Sequence, residues 1–489
     1  MKNIILFLLL APFSIVAQND ISRKPSLKVL TVPQLKEDFT IFRNALEEAH
    51  PGLYSYTSKD TFDTRFNKTF ASINRDMNEL ELLRLLSPLV STIGCEHTPI
   101  RSSILYWKTF GEKSLYFPFH LGILSSIAFV TSNISNDSTL QVGLDVLSIN
   151  DIPMPEIINK ICSSLSQTDG FIKTGKYRRI ESDFPYYYSI YVGQPDSFKI
   201  NFGDKGVQRI LKMPALDIPT IRKNNWHRHP KSSNPDVYKP LTLRLYKDSS
   251  TAYLEINSFD EGDLQEGKQH FKRFIKSAFE QIKQHHINNI IIDVRSNSGG
   301  NERFAQYLYT FLANSPFRYY KSLPVKTNKK PSFWKYTDKP LLAHLAKLYI
   351  KQTDSVYYIV RKADFRLYKP VTNGFKGNVY ILVNGGSASA ATEFPAFAQS
   401  DGRAIIVGEE TNGAYMGGNS GEGITLTLPN SGIRVTIPYA KVNMNVKPHE
   451  KGRGVIPDVV IERKKESILQ HKDDALETTF NLILVNSKK

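Results

Sequence analysis

The chain has 489 residues, 63 Lys and Arg against 47 Asp and Glu for a formal charge of +16, a 41% hydrophobic content, and two cysteines. That length exceeds what one hydrophobic core serves and implies about three domains, while two cysteines exclude a disulfide scaffold. The positive charge suits contact with an anionic envelope surface; yet Lys and Arg are scattered, and no zinc finger, RNA-binding signature or basic helix with interleaved aromatics occurs, so nucleic-acid binding is not expected.

Met1-Lys2-Asn3, the apolar run Ile4 to Pro12 and then Phe13-Ser14-Ile15-Val16-Ala17 form a basic start, a short apolar core and a small-residue end. This is the pattern of a secretory signal peptide over residues 1–17, so the mature chain is expected to begin at Gln18 and to be periplasmic or extracellular. No later stretch reaches the roughly 18 apolar residues of a spanning helix, and no Cys follows the apolar core to take a lipid. A Cys95–Cys162 bridge has nothing in the sequence to support it, and two buried thiols are expected.

Residues 28–115 read as a helical domain, with Leu35, Phe39, Phe42 and Leu46 on one face and a second apolar stretch from Leu80 to Leu86. His50-Pro51-Gly52-Leu53-Tyr54 breaks the first helix and reads as a local turn. Residues 116–216 carry short β-rich runs such as Ile127 to Val130 and Val146 to Asn150, and residues 217–240 have the composition of a linker. From 241 to 465 buried-strand runs alternate with helices, the pattern of an α/β domain, and residues 466–489 read as a C-terminal helix and tail. The fold class is therefore mixed α/β and multidomain.

Two turns in the α/β region have the makings of a catalytic centre. After Ile290-Ile291-Ile292-Asp293-Val294 comes Arg295-Ser296-Asn297-Ser298-Gly299-Gly300, where glycines let backbone N–H groups approach a ligand. After Val379 to Val383 comes Asn384-Gly385-Gly386-Ser387-Ala388-Ser389-Ala390, a tight turn into a helix whose N-terminal amides favour an attacking alkoxide. On its own, either serine there serves equally well as a helix cap.

Read in order, these two motifs, Gly402-Arg403-Ala404, Val407-Gly408-Glu409 and Gly454-Val455-Ile456-Pro457-Asp458 resemble the tail-specific, or carboxyl-terminal processing, serine protease family over most of residues 240–465. The stretch Gln141 to Asn150 looks like part of a divergent PDZ module, which that family often carries. The resemblance implies a ClpP/crotonase-like catalytic core, an N-terminal helical domain and a PDZ-like module at 116–216. It also implies that Ser389 is the nucleophile and Ser387 a turn residue. Two positions depart from the pattern: the family's Glu three residues after the nucleophile is Thr392, with Glu393 one place later, and the catalytic Lys position is Ala414.

A serine hydroxyl still needs a base, and His suits that task near neutral pH. Cys95-Glu96-His97-Thr98 resembles the Gly-His-Thr segment of the branch containing the tricorn core and interphotoreceptor retinoid-binding protein, in which His replaces Lys. That branch implies His97 as base, Glu450 as the carboxylate steadying its imidazolium, and the amides of Gly299 and Ala390 as the oxyanion hole. The expectation is a Ser-His-Glu peptidase acting on exported polypeptides, with no metal or organic cofactor. The alternative is an inactive ligand- or peptide-binding protein on the same fold. His227-Arg228-His229 and His285-His286 lack a third ligand for zinc, and nothing marks Cys95 as a thiolate.

Overall fold

Three capped helices lead the described chain: α1 (Val32–Ala49), α2 (Lys59–Ser72) and α3 (Glu79–Ser91). In this computed structural model the described residues are 27–111, 113–228, 238–338, 347–419 and 421–486, so the signal peptide expected at 1–17 lies outside them. Helix α3 starts where it does because Asn78 Oδ1 accepts the Glu81 amide at 3.0 Å while the Glu81 carboxylate accepts the Asn78 amide at 2.9 Å, a reciprocal cap. The buried faces of α1 and α2 meet through Phe39, Phe42, Phe62 and Phe66, the last two rings stacked at 4.0 Å.

Strands β1 (Phe119–Leu124), β2 (Ile127–Asn133), β3 (Asp145–Ile149), β4 (Ser197–Asp204) and β5 (Val207–Pro214) follow one another across an antiparallel sheet. Helices α4 (Met154–Ser164), α5 (Thr174–Ser182) and α6 (Phe184–Tyr191) are inserted between β3 and β4. One buried apolar cluster runs through α1 to α3, this sheet and its helices, so the two N-terminal regions share a core.

The segment 217–240, read from its composition as a linker, instead contains a helix, Ile218–Arg228. None of its side chains is buried, and it is held by polar contacts: Asp217 caps it through the Thr220 amide at 2.9 Å, and Arg228 donates to the Asn133 carbonyl at 2.6 Å. A helix built on a cap and polar docking has no apolar period to reveal it.

The α/β region forms a six-stranded sheet in the order β6 (Leu241–Tyr246), β7 (Thr251–Ile256), β8 (Asn289–Asp293), β9 (Asn378–Val383), β10 (Ile405–Gly408) and β11 (Val459–Val460). All neighbours are parallel except β6 and β7. Alternation along β8 sends Ile290 and Ile292 to one face, under α7 (Phe271–Gln284), α8 (Glu302–Thr310) and α9 (Ala390–Ser400). Ile291 goes to the other face, covered by α10 (Asp474–Asn486) through Ile483. Parallel pairing brings the loops after β8 and β9 side by side at the strands' C-terminal ends, where α/β sheets bind ligands.

A hairpin, Gly423–Thr427 with Arg434–Pro438, links the halves: its second strand pairs with Ile100–Arg101, Val435 opposite Ile100. The segment containing His97 is thereby stitched to the α/β region. No helix among the described residues is long and apolar enough to cross a membrane.

Candidate active site

The turns after β8 and β9 are sewn together by polar groups with nowhere else to go. Ser387 is fully buried, and its Oγ donates to the Val294 carbonyl at 2.8 Å. Asn384 Oδ1 accepts the Ser296 and Gly386 amides at 2.9 and 2.8 Å, and the Asn297 carbonyl accepts the Ala388 amide at 3.0 Å. The fully buried Asn297 side chain reaches back to the Ile256 carbonyl at 2.9 Å, tying the first turn to β7. Ser387 is thus a turn element, and Ser389 is the hydroxyl left at the rim.

Ser389 adopts φ 51° and ψ −124° immediately before α9. Such a backbone costs a non-glycine residue on the order of 1–3 kcal/mol and persists where surrounding contacts impose it, as at a strand-to-helix nucleophile turn. Its side chain does not cap the helix, which removes the capping role from consideration. Gly299, at φ 95°, lies against it so closely that a Cβ there would stand 2.7 Å from Ser389 Cβ. Ser389 lines a cleft of about 650 Å³ together with Gly300, Glu393, Asn419 and Gly421.

The loop before Ile100 enters the same neighbourhood. Glu96, buried, accepts the Ser389 amide at 3.4 Å, and a Cβ at Gly421 would lie 3.5 Å from His97 Nε2. This loop is pinned from both sides. Asp169, also buried, accepts the Glu96 and Ala414 amides at 2.8 and 3.0 Å, and burial pushes both the Glu96 and Asp169 carboxyls upward. His50 Nδ1 accepts the Gly52 amide at 3.1 Å, which leaves Nε2–H to donate to Thr98 Oγ1 at 2.8 Å. Full burial lowers the His50 pKa to about 3, so it stands neutral as a brace for the loop. Cys95 and Cys162 are free thiols pushed up by burial, to about 12 and about 11.

The structure does not bring together every residue singled out from the sequence. No hydrogen bond among the described residues joins Ser389 to His97, and His97 Nδ1 is buried without a partner. Glu450, expected beside that nitrogen, points outward: its side chain is 66% exposed and pairs with Arg453 at 3.7 Å, one helical-turn spacing along its own loop. The Gly299 amide, expected as an oxyanion donor, is already donating to Asn297 Oδ1 at 2.8 Å, closing a turn within its own motif. The Ala390 amide, in the first turn of α9, has no acceptor among the described residues. Ala414 is buried with its amide on Asp169, and Thr392 Oγ1 bridges the Ser387 carbonyl at 2.8 Å and the Gly413 amide at 3.1 Å.

Sequence reading missed Glu96, Asp169 and Glu393 as parts of the site. Glu96 adjoins His97, and Glu393 stands one helical turn after Ser389, so spacing was a usable signal for both; nothing marked Asp169, whose role exists only in three dimensions. Glu393 lines the cleft, accepts the Tyr320 hydroxyl at 2.8 Å, and is raised to about 8 by burial first and by Glu302 and Glu96 next.

Residues 250–461 match the family model Peptidase family S41. A crystal structure of a CPAF mutant aligns with 93% of this chain and 97% of its own at 12% identity and a TM-score of 0.65. Mature CPAF complexed with lactacystin aligns with 93% and 98% at 13% identity and a TM-score of 0.61. At such identities the structural likeness shows the shared mixed α/β multidomain fold, and the family match supplies the chemistry: residues 250–461 are a peptidase family S41 region, that of a serine hydrolase.

Proposed function

We propose that this protein is an exported serine endopeptidase, or carboxyl-terminal processing peptidase, that cuts polypeptides with Ser389 as nucleophile and His97 as base. The observation that carries the reading is the strained Ser389 backbone at the mouth of a helix, bordering a 650 Å³ cleft and touching the loop of His97 through Glu96. Ser389 Oγ attacks the peptide carbonyl carbon while its proton passes to His97. The oxyanion forms beside the Ala390 amide, with Gly299 contributing only if its amide leaves Asn297. The C–N bond then breaks, His97 gives its proton to the departing amine, and water hydrolyses the acyl-serine by the same route in reverse.

Glu450 completes the triad in this reading by leaving its long contact with Arg453 and accepting from His97 Nδ1, the buried nitrogen that lacks a partner. Catalytic hydrogen bonds commonly tighten only when substrate arrives. The α/β region is read as a ClpP/crotonase-like core and the sheet at 116–216 as a PDZ-like module taking a substrate terminus by strand addition. The apolar leader at residues 4–12 supports export, and the +16 charge supports contact with anionic envelope surfaces.

Digestion of an unfolded polypeptide, with products read by mass spectrometry, tests the proposal. Cleavage by the parent protein that falls at least about 1,000-fold in Ser389→Ala and His97→Ala, and less in Glu450→Gln, is expected. Equal cleavage by parent and Ser389→Ala would reject it. Amino-terminal sequencing of the exported protein should begin at Gln18; retention of Met1 would refute the leader assignment.

A further inference from the structure

The catalytic cleft has a charge opposite to that of the chain. Its described lining includes six carboxyl groups against two guanidiniums, in a protein whose formal charge is +16. One of those guanidiniums, Arg361, is tied to Asp364 at 2.7 Å, leaving Arg303 as its cationic counterweight to Glu302, Glu393 and Glu422. The other feature is the position of Glu393. It lies four residues after Ser389, in the first turn of α9, and both residues line the cleft. The Glu393 carboxyl thus borders the same cleft as the nucleophile and is available to the side chain of a bound substrate residue. The reaction described above makes no use of it.

Resting on the Ser389 peptidase reading, we propose that Glu393 determines specificity by receiving a Lys or Arg side chain of the residue on the acyl side of the scissile bond. Tyr320 holds the carboxyl in place from the opposite wall through its 2.8 Å hydrogen bond to Oε2, which leaves Oε1 for the incoming cation. An ammonium or guanidinium there makes a charge-assisted hydrogen bond to the carboxyl, with the Glu302 carboxyl close by. Without such a guest the carboxyl is held protonated by burial, with its ordinary range near 4.5 raised to about 8. A cationic side chain restores the ionised form on binding, whereas an apolar or acidic one leaves the carboxyl unmatched. The groups facing it are Tyr320, Tyr319, Glu302 and Glu96, none of them cationic. Basic polypeptides are therefore the substrate class, and the acidic outer lining draws them in.

The test uses the full-length protein and matched peptides differing at one position: Lys against norleucine, Arg against citrulline, and Leu and Glu as further arms. A fluorophosphonate adduct on Ser389 is measured in parallel. The expected result is a kcat/KM for Lys and Arg about 10- to 100-fold above their neutral isosteres, with that ratio collapsing toward one in Glu393→Gln. The isostere comparison needs no variant, so it stands if Glu393→Gln does not fold. Adduct formation with neutral isosteres cut as fast as Lys and Arg would overturn the specificity while leaving the nucleophile in place. Neither adduct nor cleavage of any peptide would overturn the peptidase reading and this inference with it.

Discussion

Replacing Glu393 with Gln gives a stability change that depends on pH in a calculable way. The glutamine keeps the shape and the oxygen that accepts from Tyr320 but removes the titration. In the unfolded chain Glu393 loses its proton near 4.5, whereas burial in the fold holds it to about 8. Between those values the native state binds a proton that the unfolded state has released, so stability falls as pH rises. The slope is about 1.4 kcal/mol per pH unit, and over a gap of about 3.5 units the parent loses about 5 kcal/mol that the variant keeps. Urea unfolding followed by circular dichroism at pH 4.5, 6, 7, 8 and about 9 measures this. The midpoint of Glu393→Gln should climb relative to the parent across the series and level off above pH 8. A constant difference over that range would mean that the carboxyl is ionised in the fold, and the burial argument would fail.

Gly299→Ala should leave the protein folded by circular dichroism yet cut peptide hydrolysis at least about 100-fold, because its Cβ would stand 2.7 Å from Ser389 Cβ at a φ of 95°. Ser387→Ala should lower stability by about 1–3 kcal/mol in thermal melts, since it removes the 2.8 Å hydrogen bond to the Val294 carbonyl and the acceptor of the Asn384 amide at 3.1 Å, while an adduct on Ser389 persists. For His50, whose pKa drops from 6.5 to about 3 in the fold, stabilisation is complete above pH 6.5 and is lost as pH falls toward 3. His50→Asn should therefore unfold less steeply in acid than the parent. The two thiols, raised to about 12 and about 11, should react with iodoacetamide at pH 8 far more slowly in the native protein than in urea.

The sequence made the two turns of the candidate site legible because each couples a continuous apolar strand, visible as Ile290 to Val294 and Val379 to Val383, to small residues that only a tight turn requires. The family pattern separates Ser389 from Ser387, and in the structure the Ser387 hydroxyl is buried on Val294 while Ser389 lines the cleft. The helix at Ile218–Arg228 stayed invisible because nothing apolar marks it. The carboxylates Glu96 and Asp169 stayed invisible because their partners lie about 293 and 245 residues away along the chain, at Ser389 and Ala414. Glu450 shows the opposite limit, since a motif position fixes its place in the chain but not the direction of an exposed side chain.

The most direct test of the account is intact-mass analysis after treatment with a fluorophosphonate probe, on the parent protein and its Ser389→Ala, Ser387→Ala and His97→Ala variants. The account predicts one adduct in the parent and in Ser387→Ala, and none in Ser389→Ala or His97→Ala. An adduct that survives Ser389→Ala, or that is lost with Ser387→Ala in a folded protein, would contradict it.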